Sequence, residues 1–215
     1  RKKTDWLNGK NFRDLHFSGP GTDLKVGLAD DHEWMGGASQ AQNGVICNPN
    51  IPSEEVFTTP HYLRVEGHVS STKPLSHQGS LIDEIRVVFK EGAIVDAKAS
   101  KGEKIFQKVL ESDDGARRLG EVALVPDSSP ISQSGLLFYN TLFDENAACH
   151  IALGQCYSKC FKSEKNLSQE EIKSKGGNSS MIHIDWMIGS KEIDIDGLSQ
   201  DGEITPIFRK GEWCV

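Results

Sequence analysis

Two metal-binding side chains interrupt an otherwise apolar run near the end of the chain. Within residues 181–188, only His183 and Asp185 are titratable, and they lie two positions apart. On a β-strand such residues project from the same face, so the imidazole and the carboxylate would lie side by side. An otherwise buried strand carries this pair only with a compensating partner. A divalent cation would be such a partner; the alternative is a simple hydrogen bond that orients the histidine.

A second apolar run contains one carboxylate. Glu121 lies within residues 119–125, which are otherwise uncharged and mostly apolar. Glutamate is almost never fully buried without a partner. A cation shared with His183 and Asp185 would satisfy the buried groups of both predicted strands.

A third segment, residues 143–150, brings further polar groups ahead of a run, residues 147–157, that we predict to be helical. If that run is a helix, His150 and Tyr157 lie on one face, two turns apart. Gly154 weakens this prediction. The alternative for the segment is a helix cap, with Asp144 or Asn146 in the first turn and His150 on the solvated side.

A fourth segment contains two adjacent acids, Glu54 and Glu55, between Pro52 and Pro60. Taken alone, such a stretch is typical of a solvated turn.

Five motifs in this order resemble the catalytic half of the thermophilic-metalloprotease family of aminopeptidases. They occupy residues 50–60, 119–125, 141–154, 180–190 and 196–197. The resemblance extends from about Gly21 to Trp213, nearly the whole chain.

This resemblance implies a site with two metal ions and a catalytic tyrosine at Tyr157. The implied ligands are Glu55, Glu121, His150, His183 and Asp185. The first motif offers both Glu54 and Glu55, and we take the second. The resemblance also implies peptide substrates and a homodimer.

The chemistry of these side chains agrees with that site. Three carboxylates and two imidazoles are too oxygen-rich for a structural zinc site, which favours thiolates. They suit a pair of divalent ions, and a carboxylate such as Glu121 can bridge two ions roughly 3.5–4 Å apart. Zinc, cobalt and manganese all fit these ligands.

We therefore predict a metal-dependent aminopeptidase. Glu121 would bridge the metals and act as general base, and Tyr157 would stabilise the oxyanion. One alternative is a binding or assembly fragment that keeps the fold without turnover. Another is a different two-metal hydrolase of amide bonds.

The chain is expected to form a single catalytic domain over residues 1–215. Family members carry an additional N-terminal α/β domain of comparable size, which has no counterpart here. We therefore expect a catalytic-domain fragment that is impaired as a peptidase, because the second domain should help to exclude water from the site.

Charge and cysteine content exclude several other classes. The net charge is −7 and the pI is near 5.5, without a basic stripe, which argues against nucleic acid or an anionic membrane as partner. The sequence has neither an apolar run of about 20 residues nor a secretory signal, so we expect a cytoplasmic protein. The five cysteines are odd in number, which disfavours a disulfide framework. A Cys149–His150 nucleophile pair is also disfavoured, because helical neighbours point about 100° apart.

The elements that must position these residues indicate an α+β fold, a strand-rich mixed sheet with a few helices. Predicted strands cover residues 24–28, 44–47 and 62–70, and predicted hairpins cover residues 84–97 and 192–209. Residues 103–111 form an amphipathic helix with apolar side chains at i, i+4 spacing. Residues 162–177 are predicted to form a solvent-exposed segment, with a capping box from Ser168 to Glu171.

Overall fold

Antiparallel pairing organises the strands into two main sheets. The computed structural model describes residues 2–48, 54–163 and 166–215. Residues 49–53, which include the first four residues of the 50–60 motif, lie outside the described residues, as do residues 164–165 of the polar stretch 162–177.

The described elements follow in chain order. The helices are α1 (Lys2–Lys10), α2 (Glu103–Leu110), α3 (Pro130–Ser134), α4 (Thr141–Asp144) and α5 (Gln169–Ser174), with 3₁₀ helices at Glu145–Ala147 and Ser158–Cys160. The first strands are β1 (Asp14–Gly19), β2 (Thr22–Leu28), β3 (Met35–Gly36), β4 (Ser39–Gln40), β5 (Ile46–Cys47), β6 (Val56–Thr58), β7 (Pro60–Ser70), β8 (Leu75–His77) and β9 (Ser80–Ile82). The remaining strands are β10 (Arg86–Lys90), β11 (Ala93–Lys98), β12 (Leu119–Leu124), β13 (His150–Gly154), β14 (His183–Met187), β15 (Asp194–Leu198), β16 (Ile204–Arg209) and β17 (Glu212–Trp213).

The larger sheet has the strand order β11-β10-β7-β2-β1-β15-β16-β17, and the smaller has the order β14-β13-β12-β6-β3. The expected α+β class, strand-rich with a few helices, is confirmed. The expected mixed pairing is not found, because the sheet pairs among the described strands are antiparallel. Short turns join many neighbouring strands, and a short turn can only connect strands that run in opposite directions.

One apolar core joins the two sheets. Phe17 and Val26 of the larger sheet and Ile151 and Trp186 of the smaller sheet are all fully buried members of the same cluster. Helix α2 closes this core with Phe106, whose ring lies 6.4 Å from that of Trp186 in an edge-on arrangement. The amphipathic helix that the sequence predicted is therefore confirmed, with its apolar face in the core.

The predicted hairpins are also confirmed. Strands β10 and β11 pair directly, and Glu91 and Gly92 at their turn have φ values of 50° and 79°. Two left-handed residues in sequence suit the twist of a tight antiparallel hairpin. The predicted strand at 44–47 is reduced to the two residues of β5, and the capping box between Ser168 and Glu171 forms at the start of α5.

The helix predicted for residues 147–157 is wrong. Residues 150–154 form strand β13, which lies between β12 and β14 and is buried throughout. A strand covered on both faces has no alternating pattern, so periodicity alone does not distinguish it from a buried helix. Gly154 ends the strand with a φ of 100°. His150 and Tyr157 therefore do not share a helical face.

No helix in the described part of the chain is long and apolar enough to cross a membrane.

Buried His32 gives the fold a predicted sensitivity to acid. His32 is 5% exposed and donates from Nδ1 to the carbonyl oxygen of Ala29 at 2.9 Å. Burial lowers the pKa of His32 from 6.5 to about 4. Between these values the unfolded chain binds a proton that the folded chain excludes, so stability falls as the pH is lowered through this window, by roughly 2–3 kcal/mol.

Urea unfolding at pH 7 and pH 4.5 measures this effect against a His32→Asn variant, which retains an amide donor and does not titrate. The variant should lose less stability on acidification than the wild type by about that amount. Equal losses in both proteins would contradict the assignment to His32.

Candidate metal centre

Glu121 is fixed at the centre of the smaller sheet. It lies on β12, where the register with β13 shifts between Leu119 and Glu121, and it is 4% exposed. Such an irregularity redirects a side chain relative to the regular alternation of the strand. Gly120 makes it possible, because a Cβ at this position would lie 2.4 Å from the carbonyl oxygen of Gln155.

His150 begins strand β13 and is 1% exposed. Its Nδ1 lies 3.1 Å from the carbonyl oxygen of Ala148, and since a carbonyl only accepts, Nδ1 carries hydrogen. Its Nε2 lies 3.1 Å from Oε1 of Glu55. Glu55 precedes β6, the strand on the other side of β12.

His183 and Asp185 lie on β14 and share a face, as the sequence predicted. The Nδ1 of His183 donates to the carbonyl oxygen of Gln155 at 2.7 Å. The Nε2 lies 3.1 Å from Oε2 of Glu121 and 3.4 Å from Oδ1 of Asp185. That nitrogen is buried, yet it has no aligned hydrogen-bond partner among the described residues.

The five side chains form two overlapping groups. Glu55, Glu121 and His150 make one group, and Glu121, His183 and Asp185 make the other; within each, one ligand atom per residue lies within 4.8 Å of the others. Glu121 belongs to both groups. Exposed Glu54 belongs to neither group, so it is Glu55 that the fold places beside His150.

These residues fit divalent cations. Each histidine uses Nδ1 on a backbone carbonyl and directs Nε2 toward carboxylates, which is how histidine ligands are oriented in metal sites. The buried Nε2 of His183, which lacks an aligned hydrogen bond, is an atom that a cation would satisfy.

Burial and neighbouring charges shift the pKa values of the cluster in a consistent way. Burial raises the pKa of Glu121 above its usual range, and the nearby Asp185 carboxylate adds to this. Burial lowers the pKa of His183, but Asp185 and Glu121 outweigh it, so the pKa is raised. The same balance, with Glu55 as the main partner, raises the pKa of His150. Bound cations would therefore displace protons from this cluster.

Tyr157 lies beside this cluster, but not on the helical face that the sequence predicted. It precedes the 3₁₀ helix Ser158–Cys160, and its ring centroid lies 4.8 Å from that of His183 and 5.7 Å from that of Phe57. Tyr157 is 45% exposed. Burial of the rest of the ring and the Glu121 carboxylate raise its pKa, so the phenol is a neutral hydrogen-bond donor at the edge of the cluster.

The structure also decides the alternatives for residues 144–150. Asn140 caps α4 by accepting from the backbone of Leu142, and Asp144 accepts from the backbone of Phe138 and Asn140, so Asn146 is not the cap. His150 is buried and not solvated.

A thiolate at Cys149 is excluded by its surroundings. Its Sγ contacts the backbone N and O of Val125, each at 3.3 Å, and burial raises the pKa of the thiol to about 12. All five cysteines are free thiols.

Sequence reasoning missed Gln155. Its backbone carbonyl holds Nδ1 of His183, and its side chain contacts the segment before β14. A backbone acceptor leaves no trace in residue type, so the sequence could not have identified it.

Known proteins are similar to this chain along almost its whole length. The sequence profile of the thermophilic metalloprotease (M29) family matches residues 1–213. Aminopeptidase T from Thermus aquaticus is 53% identical over 213 residues, covering 99% of this chain and 52% of the relative. Aminopeptidase PepS from Streptococcus thermophilus is 49% identical over 209 residues, covering 97% of this chain and 51% of the relative. This chain therefore spans about half the length of these relatives.

A solved structure of wild-type AmpT from Thermus thermophilus superimposes with a TM-score of 0.95 and 51% identity. The match covers 100% of this chain and 53% of that one.

Proposed function

Since the chain belongs to the thermophilic metalloprotease (M29) family, we propose that it binds two divalent cations and removes N-terminal residues from peptides. The observation that carries this proposal is the position of Glu121 in both candidate ligand groups. One carboxylate shared by two groups is the arrangement that a pair of bridged metals requires.

Zinc, cobalt and manganese suit the mixture of imidazole and carboxylate ligands. Bound at such a site, two ions would polarise the scissile carbonyl and activate a water molecule. Glu55 and His150 would hold one ion, His183 and Asp185 the other, and Glu121 both.

Glu121 would also accept the proton of the attacking water. As a member of both candidate ligand groups, its carboxylate would lie beside the water that two such ions activate. The partly exposed Tyr157 would donate its hydroxyl hydrogen to the oxyanion that develops on the substrate carbonyl.

Metal stoichiometry tests this proposal directly. We expect the chain, purified with supplemented zinc or cobalt and then dialysed, to retain two ions per chain by elemental analysis. The expectation rests on the two ligand groups, each of which supplies two side chains besides Glu121. Only trace metal in the wild-type protein would refute the two-metal proposal.

A second expectation concerns activity. This chain should hydrolyse peptides with a lower kcat/KM than a longer chain that carries the family's N-terminal domain, because that domain would help to exclude water from the centre. The comparison needs both proteins loaded with the same metal. Equal kcat/KM values would show that the second domain contributes nothing to catalysis, and absence of turnover in the metal-loaded short chain would favour the binding-fragment alternative.

We further propose a cytoplasmic homodimer. The five free thiols support a reducing compartment, and the dimer rests on the family resemblance. Cell fractionation tests the first proposal, and light scattering of the purified protein, with a monomer as the contrary result, tests the second.

A further inference from the structure

The segment that leads into β14 is held by an acidic side chain outside the candidate ligands. Asp113 lies in the turn after α2. Both oxygens of its carboxylate lie 2.9 Å from Oγ of Ser180, which donates to them. The carboxylate also accepts from the backbone N–H of Met181 at 2.6 Å and from that of Gly115 at 2.8 Å. One carboxylate therefore fixes two consecutive residues just before His183.

Gln155 also contacts this segment. Its Oε1 accepts from the backbone of Ser180 at 3.1 Å, and its backbone N–H donates to Ile182 at 2.7 Å. Its own carbonyl accepts from Nδ1 of His183 at 2.7 Å. Gln155 therefore contacts both the segment and the imidazole of His183.

Close backbone packing joins this segment to the turn that carries Asp113 and to the end of β13. A Cβ at Gly115 would lie 2.0 Å from the carbonyl oxygen of Ser179, and a Cβ at Gly154 would lie 2.1 Å from that of Ile182. Buried Asn178 donates to the carbonyl oxygens of the same two glycines, at 2.8 Å and 2.7 Å. A change in the turn that carries Asp113 would therefore be transmitted to the backbone before His183.

We propose that Asp113 is a positioning residue for the metal centre. Through Ser180 and Met181 it fixes the backbone that holds the His183 imidazole against the Gln155 carbonyl, which directs Nε2 toward Glu121 and Asp185. Partners that orient a histidine ligand typically change metal affinity about 10–100-fold when they are removed. The inference rests on the proposed metal centre.

The first variant is Asp113→Asn, which preserves shape but replaces one acceptor oxygen by an NH₂ group. We expect one of the two zinc equivalents to bind roughly 10–100-fold more weakly in competition with a chelator, and the other to remain unchanged. Asp201→Asn is the matched control, because Asp201 likewise accepts from a serine hydroxyl, that of Ser199, and from a backbone N–H, that of Glu203, in the turn between β15 and β16.

The second variant, Ser180→Ala, removes a single hydroxyl from the same network and serves if Asp113→Asn does not fold. A second readout is the downfield Nδ1–H proton resonance of His183, identified by its loss in His183→Asn. In the metal-free chain we expect this resonance to be sharp in the wild type and in Asp201→Asn, and broadened by exchange with water in Asp113→Asn and Ser180→Ala.

Two results would overturn the proposal. One is wild-type zinc affinity with a sharp His183 resonance in the folded variants. The other is an equal loss of affinity for both zinc equivalents, accompanied by a lower unfolding midpoint of the metal-free variant. If the wild type itself binds no zinc, the proposed function fails, while the resonance still decides whether Asp113 positions the imidazole.

Discussion

Glu121→Gln should reduce peptide hydrolysis by at least about 10³-fold, within the range expected for loss of a general base. Glutamine keeps the shape of the side chain but removes the charge that two cations would share and the site that would accept a proton. Because Glu121 belongs to both ligand groups, the variant should also retain fewer than two ions per chain. Steady-state kinetics and elemental analysis of one preparation measure both effects.

Glu54→Gln is the matched control for this variant. Glu54 is exposed and lies outside both ligand groups, so its loss should leave metal content and turnover near wild-type values. Full metal retention and wild-type kcat in Glu121→Gln would exclude both roles assigned to Glu121.

Tyr157→Phe should lower kcat by about 10²–10³-fold while leaving metal content unchanged, as expected for the loss of an oxyanion donor. The ring would keep its contacts with Phe57 and His183, so only the hydroxyl is tested. If Tyr157 served packing alone, the variant would lose no more than an ordinary hydrogen bond, about 1 kcal/mol.

The control is Tyr62→Phe, which removes a hydroxyl from a tyrosine whose ring stacks on His61 outside the cluster. Kinetics on a dipeptide or tripeptide, with the metal content of each preparation, separate the two roles. A Tyr157→Phe enzyme that retains more than about a third of wild-type kcat would show that Tyr157 serves packing alone, because loss of an oxyanion donor lowers kcat far more.

Strand periodicity made part of the site predictable. His183 and Asp185 lie two positions apart in an apolar run, and the two-residue repeat of a strand places them on one face. The structure puts both beside Glu121, as the sequence reasoning required. The isolated carboxylate in an apolar run was informative because burial of an unpaired charge is costly.

Periodicity failed where a strand is covered on both faces. Residues 150–154 are all buried, so their sequence lacks the alternation that identifies a strand. The choice between Glu54 and Glu55 was also beyond periodicity, because it depends on which side chain meets His150 from a distant segment of the chain. Tertiary packing decides both cases, and a single sequence does not show it.

The order of the strands has a consequence for how the protein is made. Glu55 and Asp185 come from distant parts of the chain, and the smaller sheet joins them only after β6, β12, β13 and β14 have paired. Closing such long loops costs entropy before the contacts form, which slows folding. On the ribosome, the group of Glu55, Glu121 and His150 would be synthesised before Asp185, so the second proposed cation site would be completed after the first.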